Sequence, residues 1–297
     1  MGSRTSSHAG RGASTSAFRG GATRGKASDV EPALKVTGLS KVYGDLRAVD
    51  GLTFSVQPGE VLGLVGPNGA GKTTTLRCIG GILPPNGGEI RIGGHDLARS
   101  PVEAKRALAF LPDEPRLFEY LTVKEHLSLV ARLYGVEGAE AKGARLLEEL
   151  ELSGKGDALP GELSRGMKQK LVLACGFLHD PALIVLDEPL TGLDPLAIRR
   201  TKQSLRARAA AGAALVLSSH LLPVVEELCH RVLVVAGGRM VAHGTLDEIR
   251  ATLGTSGAGA DLEELFVRIT SAAPGAPELQ PLEARALPDD PAAGPRS

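Results

Sequence analysis

Eight consecutive residues, Gly66-Pro67-Asn68-Gly69-Ala70-Gly71-Lys72-Thr73, match the pattern GxxxxGK[ST] and directly follow the apolar run Val61-Leu-Gly-Leu-Val65. Glycines at these spacings let backbone N–H groups wrap phosphate oxygens, and a helix opening at Thr73 adds the positive end of its dipole. Lys72 is suited to the β- and γ-phosphates, Thr73 offers its hydroxyl to Mg²⁺, and Thr74 completes the nucleotide-binding set. The chemistry is that of a nucleoside triphosphate and its magnesium ion.

A second stretch, Leu183-Ile-Val-Leu-Asp187-Glu188, ends an apolar run on two adjacent carboxylates. Unpaired charges at the end of a buried strand are costly, so they need partners. Asp187 suits the outer shell of a metal ion, and Glu188 can orient or deprotonate an attacking water. An apolar strand ending in acids is common by itself. Downstream of a phosphate loop it completes a site for nucleoside triphosphate hydrolysis.

A third stretch, Leu163-Ser164-Arg165-Gly166-Met167-Lys168-Gln169, places a helix-capping serine beside a glycine whose backbone a phosphate can approach, which makes a second anion site. Its spacing before Asp187, with Thr191-Gly192-Leu193-Asp194 just after, gives the chain its resemblance to ABC ATPases over nearly all of its folded region. Residues 163–169 are similar to that family's LSGGQ signature, and 191–194 resemble its D-loop. The resemblance implies that Ser164, Gly166 and Asp194 belong to the nucleotide site. It also implies that His220, in Ser218-Ser219-His220, is the switch histidine that contacts the γ-phosphate. Tyr43, in Lys41-Val-Tyr-Gly44, resembles the aromatic residue that stacks on adenine, a packing role being its alternative.

The departures from the pattern are specific. Arg165 and Met167 stand where LSGGQ has its first glycine and its glutamine, and Asp113 replaces the glutamine expected after Phe110-Leu111-Pro112. A carboxylate at 113 could still approach Mg²⁺ directly or through water. The segment Asp113–Thr122 and the Gly-Met-Lys-Gln string resemble a branch of bacterial export ATPases.

These residues need a scaffold. Leu52–Val56 and Val61–Val65 read as strands flanking a Pro58-Gly59 turn, followed by a helix from Thr73 to about Ile82 and a short strand from Glu89 to Ile92. The runs 182–186, 214–217 and 231–235 are short, apolar and separated by helical patterns, as buried parallel strands are. Between these runs and the earlier group of strands lies a mainly helical stretch, about 101–179. There Thr122 and Glu125 form a capping box, and Val123, Leu127, Val130 and Tyr134 share one helical face. The expected fold is α/β: a P-loop NTPase core with a mostly parallel sheet, an antiparallel β subdomain near the N-terminus, and a helical subdomain carrying the signature. The loop 113–122 offers Leu117, Phe118, Tyr120 and Leu121, either as an interface for a membrane partner or as core beneath the helices.

Around this unit, expected to span 34–270, the composition changes. Residues 1–33 are rich in Gly, Ser, Ala and Thr with no acid before Asp29, and 271–297 are rich in Pro and Ala. Both read as disordered. Across 297 residues Lys plus Arg equals Asp plus Glu, at 34 each. That balance gives no global electrostatic reason to expect nucleic acid, and no specific nucleic-acid partner is expected. No apolar run reaches the roughly 18 residues that span a bilayer and none resembles a signal peptide, which points to the cytoplasm. Cys78, Cys175 and Cys229 are odd in number and form no CxxC pair, arguing against disulfides and a zinc site.

The resemblance implies an ATPase working as a head-to-tail pair on a separate transmembrane permease at the cytoplasmic face of the membrane. Each ATP would lie between the phosphate loop of one subunit and the signature of the other. Two alternatives stay open. Soluble ABC proteins of DNA repair or translation usually carry two cassettes or a long coiled-coil insertion, neither of which is present. A regulatory module that binds ATP without turnover would have no use for Glu188.

Overall fold

The computed structural model describes residues 31–252. The expected leader, all but its last three residues, lies outside that range, as do 253–270 of the expected folded unit and the tail 271–297.

In chain order, β1 (Leu34–Tyr43) and β2 (Leu46–Val56) form a hairpin, and β3 (Val61–Val65) leads into α1 (Lys72–Ile79). Then come β4 (Gly87–Ile92), β5 (His95–Asp96), α2 (Pro101–Arg106) and β6 (Leu108–Leu111). Three helices, α3 (Val123–Tyr134), α4 (Ala139–Glu149) and α5 (Arg165–Phe177), precede β7 (Leu183–Asp187). Following it are α6 (Pro195–Ala210), β8 (Ala214–Ser218), α7 (Leu222–Leu228), β9 (Arg231–Ala236), β10 (Arg239–Gly244) and α8 (Leu246–Thr252).

The strands form two sheets, an antiparallel one ordered β2-β1-β4-β5 and a larger one ordered β10-β9-β3-β8-β7-β6. In the larger sheet every pairing is parallel except β10 against β9. All five residues of β3, β7 and β8 are buried, which is why these strands read as unbroken apolar runs. Alternate side chains serve different cores. Val61, Val65, Ile184, Leu186, Leu215 and Leu217 belong to the core shared with helices α3 to α7. Leu62, Leu64, Val185 and Val216 pack toward α1 and the antiparallel sheet. A register slip of one residue would exchange the two sets, so the parallel register is fixed from both faces.

The structure adds to the sequence expectations the short strand β5 and the antiparallel edge strand β10, and it departs from them at β1 and α1. β1 was not expected, because its alternation is broken: Val36 and Leu39 are both buried across a register shift at Gly38, whose φ is 62°. A bulge of this kind moves the buried set from even to odd positions and erases the period-2 signal. Helix α1 stops at Ile79 rather than near Ile82, because Gly81 turns left-handed at φ 62° and the N–H groups of Ile82 and Leu83 both donate to the Arg77 carbonyl. Within the mainly helical stretch, β6 is the strand that leads into 113–122, and it forms an edge of the core sheet. The capping box is as expected: Thr122 N–H donates to Glu125 Oε2 at 2.7 Å, and Glu125 N–H to Thr122 Oγ1 at 3.3 Å.

Candidate nucleotide-binding and hydrolysis site

The phosphate loop joins β3 to α1, and its shape depends on glycine at three positions, one of them Gly69, whose φ is 79°. A Cβ on Gly66 would collide with the Val235 carbonyl, and one on Gly71, whose φ is 100°, with the carbonyl of Ala48. Gly71 caps α1 without a side-chain acceptor, and the helix has no acid in its first turn. The first amides of α1 and its dipole are therefore left to an incoming anion. Lys72 Nζ folds back over this loop, donating to the carbonyls of Gly66 at 2.6 Å and Pro67 at 3.1 Å. Burial pulls the Lys72 pKa below that of an ordinary lysine, against the opposing pull of the Glu188 and Asp187 charges.

Asp187 ends β7 and is only 4% exposed. Its Oδ1 accepts hydrogen bonds from Ser218 Oγ at 2.7 Å and from Thr73 Oγ1 at 3.3 Å. Parallel pairing creates the first contact, because Asp187 and Ser218 stand opposite each other in the β7–β8 ladder. Thr73 and Asp187 thus present hard oxygen donors side by side at the loop, a set that suits Mg²⁺, which takes few protein ligands and keeps phosphate oxygens and waters.

Glu188 follows with φ at 49°, a left-handed conformation that costs a non-glycine residue about 1–2 kcal/mol. Its N–H donates to Ser218 Oγ at 3.1 Å. Its Oε2 lies 2.8 Å from His220 Nδ1 and accepts a longer bond, 3.4 Å, from the His220 N–H. A carboxylate only accepts, so the ring proton in this contact sits on Nδ1.

The chain then turns across the signature helix. Buried Gln169 on α5 donates through Nε2 to the Pro189 carbonyl at 3.5 Å, and the Arg165 side chain lies against Gly192. Asp194 caps α6, its Oδ1 accepting the Ala197 N–H at 2.9 Å, and that bond holds its carboxyl below the usual carboxylate range. Ser164 caps α5 in the same way through the Met167 N–H at 3.3 Å. Around Gly166 an added Cβ would meet only ordinary contacts, with Leu193 and Gly192, so nothing among the described residues demands glycine there.

Thr73, Asp187, Glu188 and His220 are therefore gathered at the carboxyl ends of β3, β7 and β8, beside Lys72 and the loop. Tyr43 sits at the tip of the β1–β2 hairpin, whose Ala48 carbonyl abuts Gly71. Tyr43 is 44% exposed, with Lys41 Nζ 5.4 Å from its ring centroid, and so does not serve as core. Asp113 is exposed just beyond β6 and makes no hydrogen bond or ion pair among the described residues. Two residues that sequence reasoning passed over belong to the arrangement, Ser218 and Gln169. Ser218 was in view as the neighbour of His220, but only the strand register reveals what it touches.

Residues 49–191 match the ABC transporter family model. The Nod factor export ATP-binding protein I of Paraburkholderia xenovorans is 40% identical over 238 residues, covering 80% of this chain and 77% of that protein. The ABC-type transporter ATP-binding protein EcsA of Bacillus subtilis is 36% identical over 80% of this chain and 96% of that protein. Among solved structures, an ATP-binding subunit of an ABC transporter superposes with a TM-score of 0.77 at 41% identity, covering 80% of this chain and 99% of that one. With the phosphate loop, paired carboxylates and capped signature helix all assembled, the chain belongs to the ATP-binding subunits of ABC transporters.

Proposed function

We propose that this ATPase energises export by a separate transmembrane subunit, with Glu188 as the base that activates water and His220 as the residue that meets the γ-phosphate. The contact chain Thr73–Asp187–Ser218–Glu188–His220 carries the reading, because it joins a metal-side oxygen, a water-activating carboxylate and a histidine along one edge of the sheet. Lys72, released from the Gly66 and Pro67 carbonyls, pairs with the β- and γ-phosphates. Backbone amides from Gly66 to Thr74 wrap those phosphates, and Tyr43 stacks on adenine. Thr73 and Asp187 hold Mg²⁺, which supplies charge neutralisation at the phosphates. Asp113, two residues beyond the Leu111–Leu186 pair, would approach that ion directly or through water.

Ser164 and Gly166 meet the ATP of a second subunit, identical or related, in a head-to-tail pair. The room around Gly166 favours this reading, since no described residue of its own subunit requires the glycine. Asp194 contributes at the same junction by fixing the start of α6. Residues 34–270 constitute the ATP-binding domain, with about 101–179 as its helical part. ATP closes the pair because it bridges two subunits only in the closed state, and hydrolysis removes that differential contact. No helix among the described residues is long and apolar enough to cross a membrane, so the membrane path is assigned to the partner. The chain works at the cytoplasmic face.

The test is to solubilise membranes in detergent, purify the chain with what it binds, and follow phosphate release. Recovery with an integral membrane protein that stimulates turnover supports the proposal. Recovery with ribosomes or DNA-repair factors, and with no membrane protein, overturns it.

A further inference from the structure

We infer that Ser218 is a positioning residue whose single hydroxyl sets both carboxylates of the hydrolytic site, orienting Asp187 for the metal ion and Glu188 for water. The inference rests on the roles proposed for Asp187 and Glu188 and adds the group that holds them in register.

A serine hydroxyl has one proton to give and lone pairs to accept with, and here both functions are used on adjacent residues. Oγ donates to Asp187 Oδ1 at 2.7 Å and accepts the Glu188 N–H at 3.1 Å. Ser218 is fully buried at the end of β8, opposite Asp187 in the parallel ladder, so water cannot substitute for it. The bond to Oδ1, together with that from Thr73, occupies one face of the Asp187 carboxylate and leaves Oδ2 as the oxygen free for a metal-bound water. The bond from Glu188 acts on the backbone instead. Glu188 has φ at 49°, outside the region a non-glycine residue prefers, and such a conformation persists only where its surroundings hold it. Ser218 supplies one such hold, and the result is a Glu188 side chain directed back to His220. The hydroxyl thus links metal-side geometry to base geometry without touching nucleotide.

Three expectations separate this from a merely structural role. Ser218→Ala should remain folded, since the replacement is smaller by one atom, and should bind ATP in the presence of EDTA as tightly as the parent. Its turnover should fall at least tenfold, and the Mg²⁺ concentration that half-saturates ATP binding, read by equilibrium fluorescence of a labelled nucleotide, should rise severalfold. Ser218→Thr, which keeps the hydroxyl, should recover most of both losses. If Ser218→Ala is too unstable to purify, Ser218→Cys keeps the volume with a weak donor and should show the same two defects in milder form. Parental turnover and parental Mg²⁺ dependence in Ser218→Ala, or in Ser218→Cys where that variant is used, overturn the inference, as does a Ser218→Thr variant no better than Ser218→Ala. Glu188→Gln, assayed alongside, keeps the two readings apart. If it loses turnover while Ser218→Ala does not, only the role of Ser218 fails. If Glu188→Gln itself turns over normally, the assignment beneath it fails.

Discussion

His220 Nδ1 lies 2.8 Å from Glu188 Oε2, and this contact decides how the carboxylate can be tested. A glutamine at 188 presents an amide oxygen that still accepts from the Nδ1 proton, so Glu188→Gln keeps the site's shape and removes only the base. Turnover is expected to fall by about 10²–10⁴, the usual contribution of a positioned general base, with ATP binding retained and the ATP-bound pair accumulating. Phosphate release and gel filtration with ATP check both halves. A Glu188→Gln protein hydrolysing at the parental rate would remove Glu188 from the chemistry.

Lys72 should separate binding from chemistry in the opposite sense. Lys72→Ala removes the only side-chain cation of the loop and should weaken ATP binding at least tenfold, abolishing most of the thermal stabilisation that ATP gives the parent. The pH dependence follows from burial. The folded, nucleotide-free Lys72 has a pKa below the ordinary 10.5, so the unfolded chain holds this proton more tightly and the ammonium costs stability at neutral pH. As pH rises through the window between the lowered value and 10.5, that cost is relieved while affinity for ATP falls. The parent should therefore lose ATP affinity at lower pH than an ordinary lysine would allow, and Lys72→Ala should show a flatter profile by calorimetry.

Much of this site is legible in the sequence, for a physical reason. Phosphate loops need glycine where backbone atoms crowd, and a buried strand ending in Asp187-Glu188 needs partners, so both leave sharp local marks. The Thr122–Glu125 capping box is equally local. What was not legible depends on register between distant segments. Ser218 is opposite Asp187 only because β7 and β8 pair in parallel, 31 positions apart in sequence, and Gln169 reaches Pro189 only because α5 packs across the turn. In β1 the bulge at Gly38 hid a strand whose residues are good strand formers on either side. The loop 113–122 offered four apolar residues, and sequence could not divide them between core and surface.

The cysteines give a prediction with no bearing on ATP. Cys78 is fully buried, and burial pushes the Cys175 and Cys229 thiols each up to about 12. At pH 8 a thiol with such a pKa is deprotonated about one part in ten thousand, against roughly a quarter for an ordinary cysteine of pKa 8.5. Native protein should react with a thiol-disulfide reagent at least a hundredfold more slowly than the same protein in guanidinium chloride, where all three sulfurs titrate. A fast phase of one equivalent in the native state would show that one of these positions opens readily.

The final prediction concerns the loop 113–122, where structure divides the four apolar residues. Leu117 packs against the helical core and Leu121 is half-buried, whereas Phe118 is 62% and Tyr120 92% exposed. The backbone is nevertheless fixed. Phe118 N–H donates to Nε2 of buried His126 at 2.9 Å, which leaves the ring proton on Nδ1 to donate to the Thr122 carbonyl at 2.8 Å. The loop therefore holds two aromatic side chains outward from a rigid support, and on α3 Leu129 and Leu133 are exposed as well. Exposed aromatics on an ordered loop match what a membrane subunit's cytoplasmic segment can bury. Replacing Phe118 and Tyr120 with Asp, singly and together, should change folding stability by less than about 0.5 kcal/mol, as surface substitutions do. Recovery with membranes should drop at least tenfold in the double variant, while basal ATP binding stays parental. Leu117→Asp is the contrasting control, because burying an unpaired carboxylate there should destabilise the subunit itself. If the double variant unfolds, the aromatics support the fold; if it is folded and associates normally, this loop is not the docking surface.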